Sequence, residues 1–157
     1  MTTDDRLTVY LAGPVRGPNA LWRRDFEEAL GHLRPSRWPL LIHPGANIPG
    51  AADAREANGR TDLFVAADIL SIERADLLVA FLRAEESGRG TGFELGYASS
   101  CGTRILPVAT SDEDRSSWAF ALGNVPFVYR SLGDAAAVVA YAAAQLAGAR
   151  YNPELPG

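Results

Sequence analysis

A doubly wound α/β domain with a five-stranded parallel sheet and helices on both faces is the fold class this sequence predicts, and three observations predict it. Short β-prone apolar runs alternate with segments of helical period along most of the chain. Asp76–Leu82 (DLLVAFL) is apolar almost throughout, as in a strand buried on both faces. The glycine-rich stretch Gly88-Arg-Gly-Thr-Gly-Phe-Glu-Leu-Gly-Tyr-Ala98 follows a few residues after that strand and leads into a helix.

Taken in order, Leu7–Ala12 (LTVYLA) reads as the first strand and ends at Gly13-Pro14. Ala20–Leu33 carries Leu21, Trp22, Phe26, Ala29, Leu30 and Leu33 at helical spacing, and Pro35 stops it. Pro39–His43 is the second strand, followed by a loop over Pro44–Gly59 rich in Gly, Pro and Ala. Asp62–Ile72 is a helix whose apolar pattern Asp68 interrupts, and Asp76–Leu82 is the third strand, with Asp76 tying down the loop before it. A charged loop, Arg83–Arg89, precedes the helix Thr91–Ser100. Ile105–Val108 and Val125–Tyr129 are strands four and five, separated by a polar segment over Asp112–Gly123. A last helix, Asp134–Leu146, takes Asp134 as its N-cap.

The 157 residues fit one domain, 1–157, with a core over about 7–147 and a tail over 148–157. Apolar residues make up 47% and charged residues 22%, an ordinary globular balance. Net charge is −4 and all 15 basic residues are arginine, so nothing resembles the footprint of a nucleic-acid polymer binder. The single cysteine, Cys101, forms no internal disulfide, and His32 and His43 fit no zinc spacing. The N-terminus lacks a secretory layout, and the longest apolar run, Ala135–Ala144, is too short to span a membrane. A cytoplasmic protein without metal or organic cofactor is expected.

Ligands of doubly wound sheets sit beyond the C-terminal strand ends, where the strand order switches. The glycine-rich turn fails both the dinucleotide pattern, because residue 93 is Phe and residue 95 is Leu, and the P-loop pattern, which needs a following Gly-Lys. The chemistry points instead to Glu94, early in a helix whose N-terminal partial charge favours a carboxylate. Asp68 belongs to the helix before strand three and Glu94 to the helix after it, so the end of that strand can lie between them. Two carboxylates flanking an anomeric carbon can divide a glycosidic cleavage, one attacking the sugar and one handling the leaving group's proton. Tyr10 is placed to orient Glu94, and Arg16 to hold a phosphate. Singly, each has an ordinary reading: Asp68 as a capping acid, Tyr10 as a core aromatic, Arg16 as a solvated cation.

Together, Tyr10-Leu-Ala-Gly-Pro14, Asp68-Ile-Leu-Ser-Ile-Glu-Arg-Ala-Asp76 and Gly90-Thr-Gly-Phe-Glu-Leu-Gly-Tyr-Ala98 resemble the nucleoside 2-deoxyribosyltransferase family over about residues 7–130. The resemblance implies a flavodoxin-like fold and a homo-oligomer whose subunits share active sites. It implies Glu94 as the nucleophile of a covalent deoxyribosyl intermediate, Asp68 as the proton carrier and Tyr10 as the residue that positions Glu94. It also puts Asn47 at the base edge, with Gly13, Gly88 and Gly90 lining the substrate. The substrates implied are a nucleoside or nucleotide and a nucleobase.

One departure stands out. Family transferases commonly carry an Asp six residues before the nucleophile, and here that residue is Gly88, between Ser87 and Arg89. The related 5′-monophosphate N-glycosidases use Ser in place of that Asp, together with a Gly-x-x-Arg-Gly turn that Gly13-Pro-Val-Arg-Gly17 resembles. In that branch Ser116 or Ser117 would come from the neighbouring subunit. The expected activity is therefore deoxyribosyl transfer between bases, with monophosphate hydrolysis as the alternative. A non-catalytic nucleotide-binding module is a third reading and a flavin protein a weaker one.

Overall fold

The computed structural model describes residues 5–15, 17–44, 61–86, 88–123 and 125–151. The element order is β1 (Thr8–Ala12), α1 (Trp22–His32), β2 (Leu40–Ile42), α2 (Thr61–Arg74), β3 (Leu77–Phe81), α3 (Arg89–Cys101), β4 (Arg104–Val108), α4 (Asp112–Ser117), α5 (Ala119–Leu122) and α6 (Leu132–Tyr151). All strand pairs are parallel, in the order β2-β1-β3-β4.

The sheet has four strands among the described residues, not the expected five. Val125–Tyr129 runs beside β4 but joins it only through an isolated bridge between Val108 and Tyr129. Tyr129 donates to the Pro107 carbonyl at 2.8 Å and accepts from Ala109 at 2.9 Å. The Val125 N–H, on the same side as that of Tyr129, turns back to the Leu122 carbonyl at 3.1 Å, so pairing here stays at one residue. A second correction concerns the start of α6. Its cap is Ser131, whose hydroxyl accepts from the Asp134 N–H at 3.0 Å, whereas Asp134 lies in the first turn.

Side chains alternate across the strands and build a core on each face of the sheet. On one face, Val9, Leu11, Val79, Phe81 and Val108 pack against Trp22, Phe26 and Leu30 of α1 and Ala136 and Val139 of α6. On the other, Tyr10, Ala12, Leu78, Ala80 and Leu82 pack against Ile72 of α2 and Leu95 and Ala98 of α3. Every residue of β3 is buried, because it is central and covered on both sides. Asp76 ties the strands together at their start: it accepts from the Thr8 N–H through its carboxylate and donates its own N–H to the Thr8 carbonyl, both at 2.9 Å.

The polar segment after β4 folds as the short helices α4 and α5. Among the described residues, no helix is long and apolar enough to cross a membrane. Because β1 lies between β2 and β3, the chain reverses direction across the sheet there, and the switch crevice opens at the C-terminal ends of β1 and β3.

Candidate active site

The turn after β1 forms one wall of that crevice. Gly13 has room for no side chain, since a Cβ there would stand 2.9 Å from the Trp22 indole. Trp22 is buried, stacks on Phe81 at 5.4 Å and donates through Nε1 to the Pro14 carbonyl at 3.2 Å. The next residue, Arg23, reaches back to the same turn. Its guanidinium donates to the carbonyls of Leu11 (3.2 and 2.9 Å), Gly13 (3.2 Å) and Pro14 (2.8 Å).

The opposite wall is the loop from β3 to α3. Asn19, beyond the first turn, donates to Glu85 at 2.6 Å and Glu86 at 3.2 Å, bracing the two loops against each other. Asp114 of α4 is buried and accepts from the Ala84 N–H at 2.8 Å and from the Thr110 hydroxyl at 3.2 Å. Arg83 lies 3.6 Å from the same carboxylate. Burial alone would raise the Asp114 pKa, but the Ala84 N–H, the Ser111 and Thr110 hydroxyls and the Arg83 charge hold it below the ordinary value. Trp118 caps the loop by donating from Nε1 to the Arg83 carbonyl at 3.1 Å. Gly88 then enters α3 in the left-handed conformation, φ 63°, with its Cα against the Trp118 ring.

The cleft enclosed between these walls measures about 300 Å³, at the small end of ligand pockets. Asp68 reaches it from α2 and Glu94 from α3, so the two carboxylates line one cavity, with Phe81 at the end of β3 in its lining. Pro44 borders it from β2, beside His43, whose Nε2 lies 2.8 Å from Glu27 of α1. Arg83, Glu86 and Arg89 supply the remaining charges. A second depression of about 340 Å³, lined by Ser99, Arg104, Phe127 and Tyr129, contains no carboxylate.

Tyr10 lies fully buried beneath the cleft. Its hydroxyl makes no hydrogen bond of good geometry among the described residues, although Glu94 is close enough to act on it. Burial, then the charges of Glu94 and Asp68, push the phenol far above its ordinary pKa, and Arg23 opposes them. Tyr10, Asp68, Glu94 and Arg23 therefore form one electrostatic cluster. The helix dipole contributes less than the sequence suggests, because α3 begins at Arg89 and leaves Glu94 in the second turn.

Of the other expected residues, Gly13, Gly88 and Gly90 line the cleft, and a Cβ on Gly90 would lie 4.0 Å from a Glu94 oxygen. Ser116 and Ser117 are exposed on α4 and lie outside the cleft, where Trp118 stands instead. Arg16 and Asn47 lie outside the described residues. Arg23, Asp114 and Trp118 are absent from the sequence reading. Asp114 had a visible signal, the capping pattern Ser111-Asp-Glu-Asp114, in which the Ser111 hydroxyl accepts from the Asp114 N–H at 3.1 Å.

Comparison with known proteins agrees with this architecture. Among solved structures, the chain is similar to a 2-deoxyribosyltransferase from the psychrotolerant bacterium Bacillus psychrosaccharolyticus, with TM-score 0.66, 17% identity and coverage of 84% of this chain and 95% of that one. It is also similar to a 2-desoxiribosyltransferase from Leishmania mexicana, with TM-score 0.57, 23% identity and coverage of 86% and 97%. A third similar structure is a CMP N-glycosidase from Clostridium botulinum, with TM-score 0.52, 18% identity and coverage of 84% and 97%. At these identities the likeness is one of fold. No curated protein matches the chain. The family model for nucleoside 2-deoxyribosyltransferases matches residues 9–147, nearly the whole of the described fold, and the chain belongs to that family.

Proposed function

We propose that this protein cleaves the N-glycosidic bond of a 2′-deoxynucleoside through a glycosyl ester on Glu94 and passes the deoxyribose to another nucleobase. The observation that carries the reading is the placing of Asp68 and Glu94, from two different helices, on one cleft at the switch point. In the first half-reaction the Glu94 carboxylate attacks C1′. The bond from C1′ to the base nitrogen breaks, its electron pair leaves with the base, and Asp68 supplies the proton. In the second half, an incoming base gives a proton to Asp68, its nitrogen attacks C1′, and the Glu94 carboxylate is released. Tyr10, beneath both acids, keeps Glu94 in the attacking orientation. The chemistry is carried by side chains and uses no cofactor.

A second reading, hydrolysis of a nucleoside 5′-monophosphate with water as acceptor, is favoured by one feature. Gly88 packs on Trp118 and offers no acid, while Arg83 and Arg89 bring positive charge to the same end of the cleft. In that reading Arg16 joins them at the phosphate, Asn47 meets the base, and Ser117 of a neighbouring copy completes the site.

Incubation with deoxyinosine plus adenine, and separately with a deoxynucleoside monophosphate alone, distinguishes the two. New deoxynucleoside supports transfer, whereas free base with sugar phosphate supports hydrolysis. In either case Glu94→Gln abolishes turnover with the fold intact, and a 2-fluoro-2-deoxyarabinosyl substrate adds mass at Glu94. Activity retained by Glu94→Gln refutes the mechanism.

A further inference from the structure

Trp118 lines the cleft beside Gly88, Arg83 and Arg89, yet the proposed chemistry gives it no part. Three hydrogen bonds fix it in place. Its backbone N–H donates to the Asp114 carbonyl at 3.1 Å, its carbonyl accepts from the Leu122 N–H at 3.0 Å, and its Nε1 donates to the Arg83 carbonyl at 3.1 Å. The ring also packs against the core that contains Leu82 and Leu95. Gly88 fits against it only for want of a side chain, since a Cβ there would stand 2.3 Å from Cη2 and 2.4 Å from Cζ2. An indole has one polar atom, and with Nε1 committed the ring can meet a ligand through carbon alone. It cannot hold a hydroxyl or pair with a phosphate; it fills space. We propose that Trp118 is the specificity-determining residue of the cleft: its fixed indole closes the sugar side and limits the substituent on C5′ to a single phosphate or smaller. The proposal rests on the reading of Glu94 as nucleophile and Asp68 as acid.

That reading orients the substrate. The bond that breaks joins C1′ to the base, so the nucleophile stands on the sugar side and the acid on the base side. Asp68 belongs to α2 and Glu94 to α3, hence the base lies toward α2 and the sugar toward the start of α3, where Gly88, Gly90 and Thr91 line the cleft. A group on C5′ extends the sugar away from C1′, into the end that Trp118 closes. Arg83 and Arg89 against Glu86 leave that end net positive, so charge does not turn an anion away. Size is what remains. The whole cleft holds about 300 Å³, and a chain that grows past the start of α3 meets aromatic carbon tethered at both backbone and side chain. This is selection by a clash built against the larger substrate. Such a wall supplies no hydrogen bond to the reacting groups, so removing it widens the choice of substrate and leaves the chemistry in place.

The test follows base release by the full chain from three substrates that share one base and differ only at C5′: a deoxynucleoside, its 5′-monophosphate and its 5′-diphosphate, each with a free nucleobase as acceptor. In wild type, kcat/KM for the diphosphate lies at least about tenfold below that of the better of the other two, and in Trp118→Leu the gap closes by about tenfold or more. As the control, the base is varied while the preferred C5′ group is kept, and those ratios stay at their wild-type values in Trp118→Leu. General damage to the site would lower every substrate alike and move neither set of ratios. The proposal is overturned by a wild type that uses mono- and diphosphate equally well, by an unmoved C5′ ratio in folded Trp118→Leu, or by a change confined to base preference. If Trp118→Leu does not fold, Trp118→Phe decides by the same ratio, because the smaller ring keeps an apolar contact with the core. Absence of turnover in the wild type would instead refute the proposed function. Calorimetric dissociation constants for the mono- and diphosphate, in wild type and Trp118→Leu, would then decide the role of Trp118 by their ratio, and failure of both compounds to bind overturns both readings.

Discussion

Gly88→Ala probes the wall of the cleft that faces Glu94. At φ 63° a non-glycine residue costs about 1–2 kcal/mol. The added Cβ would also lie 2.3 and 2.4 Å from Cη2 and Cζ2 of Trp118, closer than any real carbon contact. The ring must therefore move, and it is tethered by the 3.1 Å bond from Nε1 to the Arg83 carbonyl. Losing that half-buried bond adds about 1–3 kcal/mol. The expected destabilisation is about 3 kcal/mol, read as a lower urea midpoint at unchanged m-value. A double-mutant cycle separates the two parts. In a Trp118→Ala background the clash and the tether are gone, so Gly88→Ala should cost only the backbone share, about 1–2 kcal/mol. The reasoning fails if Gly88→Ala costs under about 0.5 kcal/mol, or costs the same in both backgrounds.

Two further outcomes follow from buried ionisable groups. Asp114→Ala leaves the Ala84 N–H without its acceptor and removes one of Arg83's partners, and should cost about 1–3 kcal/mol in urea unfolding. Because the native Asp114 pKa is depressed, its contribution is present above the ordinary carboxylate range and is lost as pH falls through the native value. Wild type should therefore weaken below about pH 4 more steeply than Asp114→Asn does. Tyr10 shows the opposite sign. Its pKa is raised in the fold, so its stabilising share is full below the ordinary phenol value and is lost as pH rises beyond it. Alkaline unfolding monitored by circular dichroism should be shallower above about pH 10 in Tyr10→Phe than in wild type, and Tyr97, whose phenol is also raised by its bond to Glu73, adds a slope of the same sign in both.

The strands and most helices were legible because their signals are local. β1, β3 and β4 are apolar runs whose observed bounds, Thr8–Ala12, Leu77–Phe81 and Arg104–Val108, lie within one residue of the expected ones at each end. Where pairing decides the outcome, local signals fail. Val125–Tyr129 has β-prone residues, yet only Tyr129 bonds to β4, and the Val125 N–H is taken by the Leu122 carbonyl instead. The start of α6 was misread for a related reason: Asp134 and Ser131 are both good capping residues, and only the backbone path selects Ser131.

The site divides along the same line. Glu94 and Asp68 could be singled out because a carboxylate in an otherwise apolar helical pattern is visible in one dimension, and the alternation of elements places both helices at one strand end. Arg23 could not be, since Trp22-Arg23-Arg24-Asp25 offers two adjacent arginines with equal local claims. Helical geometry separates them: Arg23 is partly buried over the carbonyls that end β1, whereas Arg24 is exposed. The same holds for Trp118, whose importance lies in a glycine thirty residues earlier in the chain. Gly88 without Trp118 reads as a missing acid, but with it Gly88 is the position that lets an indole close the cleft. Replacing Gly88 by Asp should therefore not restore an acidic pocket, because the new side chain and the ring require the same space. Only Gly88→Asp combined with a smaller residue at 118 can place a carboxylate there, and a single Gly88→Asp variant that folds normally and gains activity on unphosphorylated deoxynucleosides would contradict the packing argument.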